Sequence, residues 1–182
     1  MRGDMKATRK PKSFRSTIKR RAKDAPCPVP AARLNTILAP VDFSDCSRCA
    51  VHEALRLARS FKAKLILLYV AETVPAGADL GASHLPQVES ELREMGRKQL
   101  ARLRRKEIPD QVTVALVVRA GRPEVEILDE ARSRGADLIV MATHSHDSPP
   151  GHLGSTAERV VRAASCPVVL VPVHEKCVPF FL

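Results

Sequence analysis

One stretch of the sequence decides the fold, DLIVMATHSHDSPPGHLGSTAERVVRAASCPVVLVP from Asp137 to Pro172. Residues 138–141 and 168–171 are short, continuous apolar runs, as expected of parallel strands that are buried on both faces. A polar loop and then a helical pattern separate the two runs. The stretch therefore predicts a strand, a loop, a helix and a second strand.

The helix of this stretch is predicted to begin at Gly154 and Ser155. Ala157 and Val160 follow at helical spacing, and Pro167 prevents the helix from continuing. A helix that starts after the carboxyl end of a parallel strand presents free backbone N–H groups and the positive end of its dipole. This position is therefore a candidate anion or phosphate site.

The remainder of the chain repeats the same alternation. We predict strands over residues 34–41, 64–70 and 112–118, and helices over 46–61, 86–107 and 123–134, with a long loop at 73–85. The candidate buried positions of the second helix are Val88, Leu92, Met95, Leu100 and Leu103. Five strands alternating with four helices require an open parallel sheet with helices on both faces, which is an α/β fold.

Ligands of such open sheets bind outside the carboxyl ends of the strands, where the strand order reverses. Asp42 follows the first strand and Ala142 ends the fourth. If these strands are neighbours, the two residues converge on one crevice.

The net charge of +10 is concentrated at the N-terminus. Residues 1–33 hold eleven Lys or Arg and two acids, whereas residues 34–182 are almost neutral. We expect residues 1–33 to be a basic disordered tail, because they hold too few apolar residues to offset their ordering entropy. A tether to nucleic acid or an anionic membrane, a transit peptide and a tail without a partner all fit this composition.

Composition excludes several classes of protein. No apolar run is long enough to span a bilayer, and aromatic residues make up only 3% of the chain, too few for base-stacking platforms. Five cysteines without regular spacing, and no secretory signal, indicate a reducing, cytoplasmic location. We expect residues 175–182 to be a C-terminal extension, apolar from Cys177 to Leu182.

Several separated motifs resemble the universal stress protein domain. They are Ile37-Leu-Ala-Pro-Val-Asp42-Phe-Ser44, Gly121-Arg-Pro123, Gly135-Ala-Asp-Leu-Ile-Val-Met141, Thr143-His144 and Gly154-Ser-Thr-Ala-Glu-Arg-Val160, with Cys166-Pro-Val-Val-Leu-Val171. The resemblance covers about residues 34–174 and implies a doubly covered sheet of order 3-2-1-4-5, the adenine nucleotide alpha-hydrolase-like fold. It also implies a homodimer joined along strand 5, residues 168–171.

The ATP-binding branch of that family has a loop after strand 4 similar to Gly-x2-Gly-x9-Gly-Ser/Thr. This chain has Ala142 and Ser145 in place of the first two glycines, and the span from Ser145 to Gly154 is one residue short. Pro149 and Pro150 lie in that span and carry no N–H to donate. Holding Ala or Ser in a left-handed glycine conformation costs about 1–2 kcal/mol each. The resemblance therefore implies a degraded ATP crevice.

The resemblance also assigns the site residues. Asp42 matches the family's acid at the nucleotide, and Val70 matches the residue whose backbone meets the adenine. The predicted nucleotide-binding residues are Pro40, Val41, Asp42, Val70, Ala142, Thr143, His144, Ser145, Gly151, Gly154, Ser155 and Thr156. ATP is the candidate ligand, and no catalytic residue or metal ligand is assigned.

Two functions remain open. One is a stress-response sensor or regulatory module that binds an adenine nucleotide. The other is an interaction module with an empty crevice, acting through its dimer surface and its basic tail. The sequence lacks a Walker A motif and a nucleophile–base–acid set, so we do not expect a turnover enzyme.

Two further patterns have chemical interpretations. Cys46 and Cys49 form a C-x-x-C at a helix start, which fits a redox role or simply two small, partly buried thiols. The second pattern is a group of His and Asp side chains that could bind zinc or another divalent ion. The alternative interpretation is a polar loop that binds no metal. The members of the group are His144, His146, Asp147 and His152.

Overall fold

The computed structural model describes residues 33–72, 85–143 and 153–172. Strands and helices alternate along these residues as the sequence predicts. They are β1 (Thr36–Pro40), α1 (Asp45–Phe61), β2 (Lys64–Glu72), α2 (Leu85–Glu107), β3 (Val114–Gly121), α3 (Pro123–Ser133), β4 (Leu138–Ala142), α4 (Ser155–Ala163) and β5 (Val168–Val171).

The five strands form one parallel sheet in the order β3-β2-β1-β4-β5. This confirms the predicted fold class and strand order. The central strand β1 pairs with β2 on one side and β4 on the other. The strand order therefore reverses at β1, and a crevice is expected at its carboxyl end.

Strand β2 shows how the sheet separates two cores. Leu65 and Leu67 are fully buried on the face that α1 and α2 cover, whereas Ile66 and Leu68 are fully buried on the other face. The second face packs against α3 and α4 through residues such as Ile127 and Val160. Because successive strand residues point to opposite faces, one continuous apolar run supplies both cores.

The ends of the helices follow the local sequence. Ser44 is the N-cap of α1, and its hydroxyl accepts a hydrogen bond from the backbone N–H of Ser47. Pro123 occupies the first turn of α3, where its missing N–H costs nothing. Gly135 follows α3 with a φ of 58°, the left-handed conformation that terminates a helix.

Several predicted boundaries differ from the structure, and those of β3 and β2 affect the crevice. Strand β3 covers 114–121 rather than 112–118, because the Val112 N–H bonds to Pro109 O in a turn. Strand β2 runs to Glu72 rather than ending at residue 70, since its ladder with β3 continues to the pair Glu72 and Gly121. The β2–β3 pair therefore extends beyond the end of β1.

The predicted burial was wrong at several apolar positions. Val88 and Met95 of α2 are 50% and 54% exposed, whereas Leu100 and Leu103 of that helix are buried. Helix α2 packs on β2 and β3 at one edge of the sheet, so only part of its apolar stripe meets the core. At the opposite edge, β5 is half-buried rather than buried on both faces, because it has only β4 beside it.

A glycine of α2 makes room for the aromatic ring of Tyr69. A Cβ at Gly96 would collide with Tyr69 Cδ1 and lie 2.6 Å from Tyr69 Cε1. The Tyr69 ring in turn packs on Phe43, with ring centroids 4.9 Å apart. Phe43 has a φ of 66°, a strained conformation for a bulky residue. The three residues therefore connect α2, through β2, to the loop that follows β1.

Gly96→Ala should destabilise the protein by about 1–3 kcal/mol, because the added methyl group overpacks the site against Tyr69. Alanine normally stabilises a helix relative to glycine by about 1 kcal/mol. A lower free energy of unfolding for Gly96→Ala would therefore indicate overpacking against Tyr69. Urea unfolding of the two proteins measures it. In a Tyr69→Ala background the same substitution should be neutral or stabilising, and destabilisation in both backgrounds would contradict this packing.

Glu124 joins α3 to α4. Its Oε1 accepts a hydrogen bond from Arg122 Nη2 and another, at 3.0 Å, from Arg159 Nη1 of α4. The pKa of this buried carboxyl lies below its ordinary value of 4.5. The largest cause is a hydrogen bond from the backbone N–H of Glu124 at the start of α3, and the positive charges of Arg122 and Arg159 add to it. The folded state therefore favours ionised Glu124.

Glu124→Gln should lower stability at neutral pH, with the loss disappearing in acid. A carboxyl whose pKa is lowered on folding stabilises the protein above its unfolded pKa, and that stability is lost as pH falls through the folded pKa. Urea midpoints of the wild type and the variant should differ at neutral pH, and the difference should shrink as the pH falls below the ordinary pKa of 4.5. An equal difference at neutral and at acid pH would show that the carboxylate charge is not what stabilises this contact.

Candidate functional site

A crevice of about 270 Å³ lies at the carboxyl end of the sheet. It is close in size to the smallest ligand pockets, which begin at roughly 300 Å³. The strands supply one wall, and the first turns of α3 and α4 supply the other. The lining residues are Pro40, Val41, Asp42, Ser47, Leu68, Val70, Glu72, Pro123, Ile127, Met141, Ala142, Thr143, Gly154, Ser155, Thr156 and Ala157.

The crevice opens where β1 leaves β2. The last backbone hydrogen bond between them runs from Val41 N to Leu68 O at 2.8 Å. Strand β2 then continues to Glu72 with β3 on one side only. The other edge of β2, which includes Val70, therefore faces the crevice with backbone polar groups that β1 no longer reaches.

Asp42 occupies the middle of the crevice, at the end of β1. Its Oδ1 accepts hydrogen bonds from the backbone N–H of Ser44 at 2.9 Å and from the Ser44 hydroxyl at 2.5 Å. The Asp42 N–H lies 3.4 Å from Ser47 Oγ, a buried hydroxyl of α1. These contacts fix the carboxyl group and leave its second oxygen without a hydrogen-bond partner among the described residues.

The first turn of α4 closes the other end of the crevice. Gly154 is its N-cap and provides no side-chain cap, and the Gly154 N–H donates to Thr143 O at 2.7 Å. The first backbone hydrogen bond of the helix is donated by the Glu158 N–H to the Gly154 carbonyl oxygen. The amides of Ser155 and Thr156 therefore lie at the positive end of the dipole, where an anion is favoured.

The lining carries two carboxylates, Asp42 and Glu72, and within the described part of the chain it carries no Lys, Arg or His. An anionic ligand would therefore depend on backbone amides for its attraction. That arrangement suits an anion at the start of α4, away from Glu72.

Ala142 has an ordinary strand conformation. It pairs with Val171 of β5, and among the described residues positive φ outside glycine occurs only at Phe43 and Lys62. The predicted backbone strain at Ala142 is therefore wrong, since this position is not held in a left-handed conformation. Any effect of its Cβ must instead come from occupying space at the crevice wall.

The structure brings nine of the twelve predicted site residues to this crevice. They are Pro40, Val41, Asp42, Val70, Ala142, Thr143, Gly154, Ser155 and Thr156. His144, Ser145 and Gly151 lie outside the described residues, as does the predicted zinc cluster of residues 144–152. The described part of the chain holds no group of metal-ligating side chains.

Sequence reasoning missed two parts of the crevice. Glu72 lies two residues after Val70 on the same face of β2, so the period of a strand could have found it. Pro123 and Ile127 line the opposite wall, and their helical spacing in the Gly121-Arg-Pro123 helix was the available signal.

The thiol of Cys46 does not show the lowered pKa of a redox nucleophile. Burial first, and then the charge of Asp42, raise its pKa. Cys46 is also a free, buried cysteine. The interpretation as a buried thiol therefore fits Cys46 better than the redox interpretation.

Comparison with known proteins gives consistent matches. Residues 34–172 match the model of the Universal stress protein family. A universal stress protein of Methanocaldococcus jannaschii is 31% identical over 77% of this chain and 83% of its own length. Universal stress protein YxiE of Bacillus subtilis is 30% identical over 75% of this chain and 98% of its own length.

Solved structures share the fold. UspA from Lactobacillus plantarum superposes with a TM-score of 0.65 at 28% identity, over 77% of this chain and 99% of its own. An Arabidopsis thaliana family protein described with AMP bound gives a TM-score of 0.57 at 18% identity, covering 80% of this chain and 96% of its own. A universal stress protein described in complex with cAMP gives a TM-score of 0.55 at 21% identity, covering 77% of this chain and 98% of its own.

None of the described helices is long and apolar enough to cross a membrane. The strand order, the matched residues 34–172 and the curated relatives agree with one another. The chain belongs to the universal stress protein family.

Proposed function

We propose that this protein is a regulatory module whose crevice binds an adenine nucleotide, with one phosphate at the start of α4. The observation that carries the proposal is the convergence of Asp42, Val70 and the uncapped amides of Ser155 and Thr156 on one crevice. In this arrangement the β2 edge meets the base, Asp42 meets the ribose hydroxyls and α4 meets the phosphate.

A single phosphate fits the crevice better than three. Few amides are available at the start of α4, and the described lining offers no cation to neutralise further charge. In the preceding loop, two family glycines are replaced by Ala142 and Ser145, while Pro149 and Pro150 donate no N–H. Two fold neighbours are described with AMP and with cAMP, which supports room for a mononucleotide in this fold.

The protein should bind AMP more tightly than ATP, since the added phosphates gain few donors and no described lining residue supplies a cation to neutralise them. Asp42→Ala should weaken AMP binding by about tenfold to a hundredfold, the value of one or two hydrogen bonds to a charged group. Ala142→Gly combined with Ser145→Gly should strengthen ATP binding by opening the loop to close backbone approach. Calorimetry on the purified proteins measures the dissociation constant of each nucleotide.

Asp45→Ala provides the matched control, because Asp45 is a neighbouring carboxylate that is 79% exposed and does not line the crevice. Its AMP affinity should equal that of the wild type. Tight ATP binding by the wild type would show that the loop holds the outer phosphates by another route. Absence of binding by both nucleotides would favour the interaction module with an empty crevice.

The interaction module remains the second candidate because no described strand pairs with the outer edge of β5. Val168–Val171 is half-buried and pairs only with β4, and Val161 of the neighbouring helix α4 is 44% exposed. An apolar strand edge of this kind invites pairing with a second copy. We propose a homodimer joined along β5 for either function.

Light scattering at micromolar concentration should therefore give twice the mass of the chain. Val161→Asp should shift the protein toward monomer, because it places a charge beside the proposed interface. Val88→Asp is the control, since Val88 is 50% exposed on α2 at the opposite edge of the sheet. A monomeric wild type, or equal effects of the two variants, would contradict assembly along β5.

Other features of the proposal rest on the sequence. We propose that the protein acts by binding rather than by turnover, and that it is cytoplasmic. The basic tail of residues 1–33 is proposed as a tether for an anionic partner. The division into this tail, a domain at 34–174 and an extension at 175–182 stays a prediction.

A further inference from the structure

We propose that Glu72 selects the base of the bound nucleotide, by accepting a hydrogen bond from the exocyclic amino group of adenine. A nucleotide with a 6-oxo purine, such as IMP, would present an acceptor to the same carboxylate and bind less well. The inference rests on the proposed nucleotide function and adds the residue that discriminates between bases.

The placement of Glu72 follows from the alternation of β2. Leu68, Val70 and Glu72 lie on one face of the strand, and all three line the crevice. The β3 neighbour of Glu72 is Gly121, which has no side chain to compete for this space. Because β1 has already turned away after Val41, the carboxylate stands at the open end of the crevice.

Glu72 has no partner for its charge within the described residues. No hydrogen bond or ion pair among them involves it. Arg119, which lies opposite Val70 on β3, forms ion pairs with Glu126 and Glu130 of α3. An ionised carboxylate accepts hydrogen bonds only, so a ligand atom beside Glu72 is favoured if it donates.

The order of groups along the crevice places a base beside Glu72. Glu72 ends β2, Asp42 follows the central strand β1, and Ser155 starts the helix after β4. Strands lie about 4.8 Å apart, so the two ends are separated by roughly 10 Å. With the phosphate on the α4 amides and the ribose at Asp42, the remaining position at β2 belongs to the base.

Two carboxylates could alternatively hold a divalent cation between them, since Mg²⁺ and Ca²⁺ prefer oxygen ligands. Asp42, however, already directs one oxygen at Ser44, and Glu72 ends a different strand. We therefore assign Glu72 to the base and make the cation an outcome of the test.

The test compares AMP with IMP by calorimetry, for wild type and for Glu72→Gln, with EDTA and with added Mg²⁺. Wild type should prefer AMP by about tenfold, a modest value for a charged hydrogen bond at an exposed position. Glu72→Gln should bring the ratio close to one, because a rotated amide can donate to the 6-oxo group. Glu91→Gln, at an exposed acid of α2, is the matched control and should keep the wild-type ratio.

The outcomes separate the two proposals. Equal binding of AMP and IMP by wild type, or a preference that survives Glu72→Gln, would overturn the role of Glu72 while leaving nucleotide binding intact. If Mg²⁺ changes the nucleotide affinity of the wild type but not that of Glu72→Gln, and both proteins prefer AMP equally, Glu72 would be assigned to a cation instead. Binding of neither nucleotide by wild type would overturn the proposed function itself.

Discussion

The crevice depends on the point at which β1 stops pairing with β2. The Val41 N–H makes the last hydrogen bond, to Leu68 O, and the chain then turns at Asp42 and Phe43 into α1. Without that turn, β1 would continue along β2 and cover the backbone edge that faces the crevice. The turn is held by Ser44 on one side and by the packing of Phe43 on Tyr69 on the other.

Helix α2 contributes to the turn although it does not line the crevice. Gly96 lets Tyr69 sit against the helix, and Tyr69 supports the strained backbone of Phe43. A bulky residue with positive φ persists only where its surroundings hold it in place. Packing on the α1–α2 face of the sheet thus fixes the position of Asp42 at its carboxyl end.

Much of the fold could be predicted from the sequence because periodicity reports burial. The apolar runs of β2 and β4 gave the strands, and Gly154 and Pro123 gave helix starts that the structure confirms. The exposure of Met95 could not be predicted, since helical spacing alone does not show where a sheet ends. The strain at Ala142 was predicted wrongly because a motif that lacks its glycine does not reveal the backbone angle.

Nine of the site residues could be predicted because a family motif and the ends of parallel strands coincide at one crevice. Glu72 was missed although it lies two residues after Val70 on the same face of β2, because the sequence pattern ended that strand at residue 70. Glu72 and the amides of α4 lie at opposite ends of the crevice, with Asp42 between them. We propose that this polarity, with donors at the α4 end and an acceptor at the Glu72 end, sets the orientation of a bound nucleotide.

Backbone amide NMR of the protein during titration with AMP can test whether the nucleotide reaches both ends of the crevice. We expect the resonances of Val70, Gly154, Ser155 and Thr156 to shift together, while those of Leu100 and Leu103 in α2 stay unchanged. Shifts confined to β5 and α4, without Val70, would contradict a nucleotide that spans the crevice.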